Sequence, residues 1–170
     1  DVGTTGAKAL LVDQEGRVCS RGYQGYGTVA GPGGAVEQRA EVWWEAAALA
    51  VRQAGWGIEK RDIKALSLST QGASSVLVDG DFHTLGNAIT WMDMRAVREM
   101  EELRARREEG YYYRTTGWEI SPNLDACKLA WLKANRPKEM GRASKFLSTL
   151  EYMNYCLTGN YVTDPTNAAM

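Results

Sequence analysis

The chain is short of cysteine, of histidine and of any one sign of charge. Its three cysteines, Cys19, Cys127 and Cys156, lie far apart and form no CxxC pair. They supply neither a disulfide framework nor a metal knuckle, which fits a reducing cytoplasm. The one histidine, His83, falls in the turn Asp81-Phe82-His83-Thr84 and reads as exposed rather than catalytic. Lys and Arg number 20 against 21 Asp and Glu, a net charge of −1. A chain built for a polyanion carries a basic excess, so nucleic acid and acidic membrane surfaces are not expected partners. No apolar run reaches the roughly 18 residues that a membrane span needs. Fixed-period repeats and low-complexity tracts are missing too.

What is present is ordinary for a globular protein: 44% hydrophobic and 24% charged residues in a chain of 170. That length suffices for one domain burying roughly 70% of the surface its unfolded chain exposes. The chain opens at Asp1, inside what reads as a motif, and stops at Met170 just after the helix-start signal Thr163-Asp164-Pro165-Thr166. Both ends read as cut, so the expectation is a lobe of something larger.

Residues 6–30 predict a β-hairpin: an apolar strand Lys8-Ala9-Leu10-Leu11-Val12, turn chemistry at Asp13-Gln14-Glu15-Gly16, and a return from Arg17 to Gly25. The period turns helical over 37–54, with Val42, Ala46, Leu49 and Gln53 on one face and Trp43, Ala47 and Ala50 beside it. Strands are predicted at 63–69, 75–78 and 87–91. Helices follow at 94–109, from Ser121-Pro122 to Asn135, and at about 149–157. The charged side of 94–109 reads as a solvated face laced with i,i+4 pairs. The order is that of an α/β or α+β lobe around a mixed sheet flanked by helices. The six tryptophans read mainly as core and hinge packing, and Tyr111-Tyr112-Tyr113 as packing ahead of a loop. Asp164 and Thr166 read as caps of a following helix.

The stretch richest in chemistry is Asp1-Val2-Gly3-Thr4-Thr5-Gly6. Two glycines flanking two hydroxyl residues make a tight turn whose N–H groups and hydroxyls can cradle phosphate oxygens. A carboxylate at its head can hold Mg²⁺ through water, because Mg²⁺ dehydrates reluctantly and takes only one or two protein carboxylates. Lys8 stands two residues beyond and can neutralise a phosphate. A plain Gly-rich hairpin turn explains the same residues. The spacing is not that of the GxxxxGK[ST] loop. Asp93 and Arg95, two apart at a strand exit, suit the hydroxyls of a polyol through charge-assisted hydrogen bonds, or form a structural ion pair capping the helix that begins near Met94.

Taken in order, these segments resemble the FGGY carbohydrate kinases of the sugar kinase/Hsp70/actin superfamily, most closely the xylulokinase-like members. Asp1-Val2-Gly3-Thr4-Thr5 with Lys8-Ala9-Leu10-Leu11-Val12-Asp13 resembles the first phosphate motif. Glu37-Gln38 with Trp43-Trp44 resembles an E-Q-x-x-x-x-W-W helix start, and Ser69-Thr70-Gln71-Gly72 a strand-end substrate loop. Trp91-Met92-Asp93-Met94-Arg95 resembles a W-x-D-x-R segment, and Leu157-Thr158-Gly159 with Thr163-Asp164 and Asn167-Ala168 an L-T-G…T-D…N-A stretch.

The resemblance implies an α/β, ribonuclease H-like (actin-like ATPase) lobe. Residues 1–170 would be the N-terminal sugar-binding lobe of a kinase using ATP and Mg²⁺, cut at both ends and lacking its C-terminal ATP-binding lobe. It implies that Asp1 assists Mg²⁺ and that Gly3, Thr4, Thr5 and Lys8 line the phosphates. Gln71, Gly72, Asp93, Arg95 and Asn123 would meet the sugar, with Trp91 walling its pocket. The catalytic base would lie beyond Met170, so this piece would not turn over alone. The acceptor would be a sugar or polyol, with a ketopentose such as xylulose favoured by Thr70-Gln71-Gly72, in a cytoplasmic protein whose only macromolecular partner would be a second copy in a homodimer. Two rivals remain at this point: a non-catalytic sugar-binding module on the same fold, and an actin- or chaperone-like ATPase.

Overall fold

The computed structural model describes residues 1–170. It divides into two compact units, Asp1–Thr28 with Glu41–Gln71, and Val29–Ala40 with Gly72–Met170.

In the first unit, β1 (Gly6–Val12) and β2 (Val18–Gly25) form the expected antiparallel hairpin, running from Gly6↔Gly25 to Leu11↔Ser20. Its turn is closed by the Asp13 carboxylate, which accepts from the amides of Glu15 and Arg17 at 3.0 and 2.9 Å, and by Gly16 at φ +80°. Helix α1 (Glu41–Ala54) packs against the hairpin through a stripe of mostly small residues: Trp43, Ala46, Ala50 and Ala54 are buried. This stripe lies between the two faces the sequence suggests, and Leu49 is left exposed. The cause is close approach at Gly22, where an added Cβ would sit 2.0 Å from the Ala50 carbonyl oxygen. Small residues at that crossing matter more than large apolar ones. The Tyr23 amide donates to Gln53 Oε1 at 2.8 Å, and the Ser20 hydroxyl donates to the Ala54 carbonyl.

Residues 63–69, predicted as a strand, form no ladder. The backbone that meets this segment is Val2, which donates to the Ser69 carbonyl and accepts from the Gln71 amide, both at 2.8 Å. The result is one parallel bridge, Val2↔Thr70, and Ile63 and Leu66 stay exposed. A strand is defined by its partner, and pairing along 63–69 is what this segment lacks.

The second unit is built on an antiparallel sheet. Its strands β3 (Val29–Ala30), β4 (Val36–Gln38), β5 (Ser75–Val78), β6 (Ala88–Ile89) and β7 (Lys145–Ser148) lie in the order β3-β4-β6-β5-β7. The interior strand β5 is buried along its whole length, as a strand covered on both faces must be. Glu37 and Gln38 thus sit on a strand, four and three residues ahead of α1, and do not start a helix. Strand β7 escaped prediction because its four residues, Lys145-Phe146-Leu147-Ser148, hold only two apolar side chains, adjacent rather than alternating.

The helices of this unit are α2 (Val97–Ala105), α3 (Tyr111–Thr116), α4 (Asp125–Asn135), α5 (Pro137–Arg142), α6 (Thr149–Thr158) and α7 (Pro165–Ala168). Helix α2 begins later than predicted because residues 91–96 are held in turns by Asp93, whose amide donates to the Thr90 carbonyl and whose carboxylate accepts from the Arg95 amide. Helix α6 follows its predicted span, opened by Glu151 accepting from the Ser148 amide and closed by Gly159 at φ +73°. Asp164 caps α7, accepting from the amides of Thr166 and Asn167; Thr166 lies inside the helix.

One core cluster gathers Leu77, Leu85, Ile89 and Leu132, and another Ala96, Met100, Ile120 and Cys127. The three cysteines are unbonded, and burial, then Glu99, pushes the Cys127 thiol up to about 11. The tryptophans depart from expectation: Trp43 is fully buried, whereas Trp44, Trp56, Trp91 and Trp118 are exposed. Tyr112 donates to the Leu103 carbonyl and meets Tyr111 edge-on, so two of the three tyrosines pack locally as predicted, while Tyr113 is exposed. No helix is long and apolar enough to cross a membrane.

Candidate functional site

The Asp1–Thr5 stretch leads straight into β1 and is tied on both sides. Val2 is buried and bridges Thr70, and the Lys8 amide donates to the Asp1 carbonyl at 2.8 Å. Two tyrosines of the hairpin grip its carbonyls: Tyr26 Oη donates to Gly3 at 2.5 Å and Tyr23 Oη to Thr5 at 3.2 Å. Burial, and then the neighbouring Tyr23, push the Tyr26 phenol well up. Tyr23 packs close over Gly6: a Cβ there would lie 2.5 Å from Tyr23 Oη and would push that ring aside. The Gly3 amide donates to the Gly6 carbonyl at 3.0 Å, so this donor closes the turn itself. The rigid turn leaves its charged groups accessible. Asp1 and Lys8 face one another at 3.5 Å with 47% and 60% of their side chains exposed. Thr5 is exposed and Thr4 partly so. A carboxylate held by one flexible ammonium keeps oxygens for a hydrated cation, so the donor set fits water-mediated Mg²⁺.

Asp93 and Arg95 present a different picture. The Asp93 side chain is 3% exposed and its two oxygens accept from the Val36 amide at 2.9 Å, the Arg95 amide at 3.0 Å, and Arg95 Nη2 at 2.7 Å. Arg95 Nη2 also donates to Glu37 at 2.7 Å, and Arg136 meets the same Glu37 oxygen at 2.6 Å. Both guanidinium groups lie over the Trp131 ring, at 4.3 and 5.5 Å from its centroid. Burial pulls the Arg95 guanidinium down, and bonds to Asp93 and Glu37 outweigh it and leave it above its ordinary value. This is a closed network of two carboxylates and two guanidiniums. It joins β4, the 91–96 turns and the end of α4, and it leaves Asp93 no oxygen turned to solvent. The two residues thus form an ion pair, as the second of the two sequence readings has it; the pair organises the 91–96 turns rather than capping a helix at Met94, since α2 starts only at Val97.

The other predicted sugar contacts lie on separate segments of the chain. Gln71 ends the first unit, its amide bonded to the Val2 carbonyl, and Gly72 opens the second, its α-carbon facing the Met170 side chain. Asn123 accepts from the Ser121 hydroxyl at 2.5 Å in the turn before α4. Trp91 is half-exposed, and its amide donates to Ser74 Oγ at 3.1 Å. His83 is exposed as predicted, with its ring 3.5 Å from Asp79, whose carboxylate closes that turn.

Four residues of these networks escaped a site reading from sequence. Glu37 was visible only as part of a motif, and Arg136 as a helix terminator. Asp125 and Lys128, on successive turns of α4, carry the i,i+3 spacing of an ordinary surface pair. Lys128 is buried and Asp125 largely so: Asp125 accepts from Ser75 Oγ at 2.8 Å, and Lys128 Nζ lies 3.6 Å from Asp125 and donates to the Ala73 carbonyl. Burial pushes the Asp125 carboxyl up and the Lys128 ammonium down. Ala73 itself has φ +46°, a conformation that L-residues other than Asn and Asp rarely adopt.

An α/β lobe with a phosphate-type turn at the head of a β-hairpin defines a class, the actin-like ATPase fold. The whole chain, residues 1–170, matches the N-terminal domain of the FGGY family of carbohydrate kinases, and it belongs to that family. Xylulose kinase of Escherichia coli (strain K12) is 31% identical over 170 residues, covering 99% of this chain and 34% of that protein. Glycerol kinase of Brucella ovis is 32% identical over 178 residues, covering 99% of this chain and 36% of that one. The crystal structure of a "xyloylose" kinase from Brucella ovis matches with a TM-score of 0.91 at 29% identity, over 99% of this chain and 35% of its own. The chain thus spans about a third of the length of these relatives. The likeness bears out the α/β, ribonuclease H-like lobe.

Proposed function

We propose that residues 1–170 are the N-terminal, sugar-binding lobe of an ATP-dependent carbohydrate kinase acting in the cytoplasm. The observation that carries this reading is the Asp1–Lys8 turn, rigid in its backbone and open in its charges. The reaction moves the γ-phosphoryl group of ATP to a sugar hydroxyl. The new bond joins that oxygen to phosphorus, the β–γ bridging bond breaks, and ADP leaves. Bound Mg²⁺ supplies charge neutralisation on the phosphates. Asp1 orients the hydrated cation, Thr4 and Thr5 donate to phosphate oxygens, and Lys8 exchanges its partner Asp1 for the transferred group. The proton of the attacking hydroxyl goes to a base outside residues 1–170, as does the adenine. Gln71, Gly72 and Asn123 meet the sugar, while Asp93 and Arg95 serve it indirectly, by fixing the turn that carries Trp91.

A ketopentose such as xylulose is the acceptor this reading favours, supported by Thr70-Gln71-Gly72 and by the xylulose kinases among the relatives. Glycerol is the natural counter-substrate to set against it. The test is ADP release by the complete protein across a panel of ketopentoses, other sugars and glycerol, with Asp1→Ala beside the parent. The expected outcome is sugar-dependent turnover, with kcat about 100-fold lower in Asp1→Ala. Turnover of ATP indifferent to every sugar defeats the reading in favour of an ATPase. Sugar binding with no turnover, unaffected by Asp1→Ala, defeats it in favour of a binding module.

A further inference from the structure

The buried pair on α4 has no part in the function just described, yet it acts directly on the segment following Gln71. Lys128, with 2% of its side chain exposed, donates from Nζ to the carbonyl of Ala73, and Asp125 accepts from the hydroxyl of Ser75. Two residues one helical turn apart thus hold the chain at two points, two residues apart, on either side of Ser74. Ser74 is fixed from elsewhere: its carbonyl accepts from the Thr149 amide at 2.9 Å and its Oγ from the Trp91 amide. Between these anchors Ala73 is kept at φ +46°. A non-glycine residue holds such a conformation only where its surroundings over-determine it. Removing a lysine ammonium from water is costly unless its partners are well placed, and helix packing alone would be served as well by an apolar side chain.

We propose that Lys128 is a positioning residue. Anchored by Asp125, its ammonium locks Ala73 in the left-handed conformation and so sets the direction in which Gly72 is presented to the sugar. This rests on the reading of Gly72 as a sugar contact. The electrostatic surroundings agree with it: Asp93 as well as Asp125 favours the charged lysine against the effect of burial.

The test compares three forms of the complete protein: the parent, the double variant Asp125→Asn/Lys128→Met, and that variant with Ala73→Gly added. The double change removes both charges together, and the new amide still accepts from Ser75. The KM for sugar is expected to rise about 10-fold while the KM for ATP stays within twofold. Ala73→Gly recovers at least threefold of the loss, because glycine takes a positive φ without steric cost and needs no clamp. A folded double variant whose sugar KM is unchanged overturns the proposal, as does an equal rise in both KM values. If the double variant does not fold, Lys128→Gln, too short to reach Ala73, is judged by the same thresholds. If the parent shows no sugar-dependent turnover, the kinase reading fails by itself. Amide exchange over residues 72–75 then decides the positioning role: at least 10-fold faster exchange in the variant supports it, and unchanged exchange overturns it.

Discussion

Two acid–base pairs of this chain look alike in sequence and behave in opposite ways. Asp1 and Lys8 stand at the head of the hairpin, 3.5 Å apart and half in solvent. Asp93 and Arg95 stand at the exit of β6, 2.7 Å apart, with Glu37, Arg136, a backbone amide and the Trp131 ring completing their coordination. The first pair can release each other for a phosphate and a hydrated cation. The second cannot meet a ligand without opening a buried network, because each group leaving it strands a charge in a low-dielectric setting. Accessibility, not residue type, separates a ligand site from a structural joint.

The sharpest way to break that comparison is Arg95→Met. It leaves Asp93 with backbone amides only, while Arg136 still serves Glu37. The complete protein should lose about 3 kcal/mol by urea unfolding, towards the lower end for a broken buried pair. A loss below about 1 kcal/mol would mean that the network is loose enough to trade partners with a sugar, and Asp93 and Arg95 would return as direct contacts.

A second test asks what holds the unit that carries the open pair. Its helix and hairpin meet by backbone approach at Gly22, where a Cβ has only 2.0 Å to the Ala50 carbonyl oxygen. Gly22→Ala should therefore cost about 2 kcal/mol through forced separation of α1 from the hairpin. Thermal unfolding checks it, and an unchanged Tm would show that the two elements slide freely. The smallest effect is expected at Lys8→Met. Removing one partner of an exposed pair should change stability by about 0.5 kcal/mol or less, yet lower kcat/KM for ATP in the complete protein. A stability loss matching that of Arg95→Met would erase the contrast between the two pairs.

Much of the architecture could be read from order along the chain. The hairpin follows from its turn residues and alternation, α6 from its period and Gly159, and the α7 cap from Asp164 ahead of Pro165. Each is decided by neighbours within a few residues. The misses are those in which a distant partner decides. Residues 63–69 have strand composition but meet only Val2, and the buried stripe of α1 is chosen by a glycine twenty-eight residues earlier. The length of α2 is set by the turns ahead of it that Asp93 organises.

The sequence by itself determined the family, through five short motifs in a fixed order, and with it the lobe fold and the tight turn between Asp1 and the hairpin. Only the tertiary structure decided which charged residues are available. Arg95 finds Glu37 across 58 residues, Arg136 finds it across 99, and Lys128 reaches the Ala73 carbonyl across 55. Spacing along a chain fixes which side chains can share a turn. Whether water reaches them depends on which remote segments fold over them, and no local pattern records that.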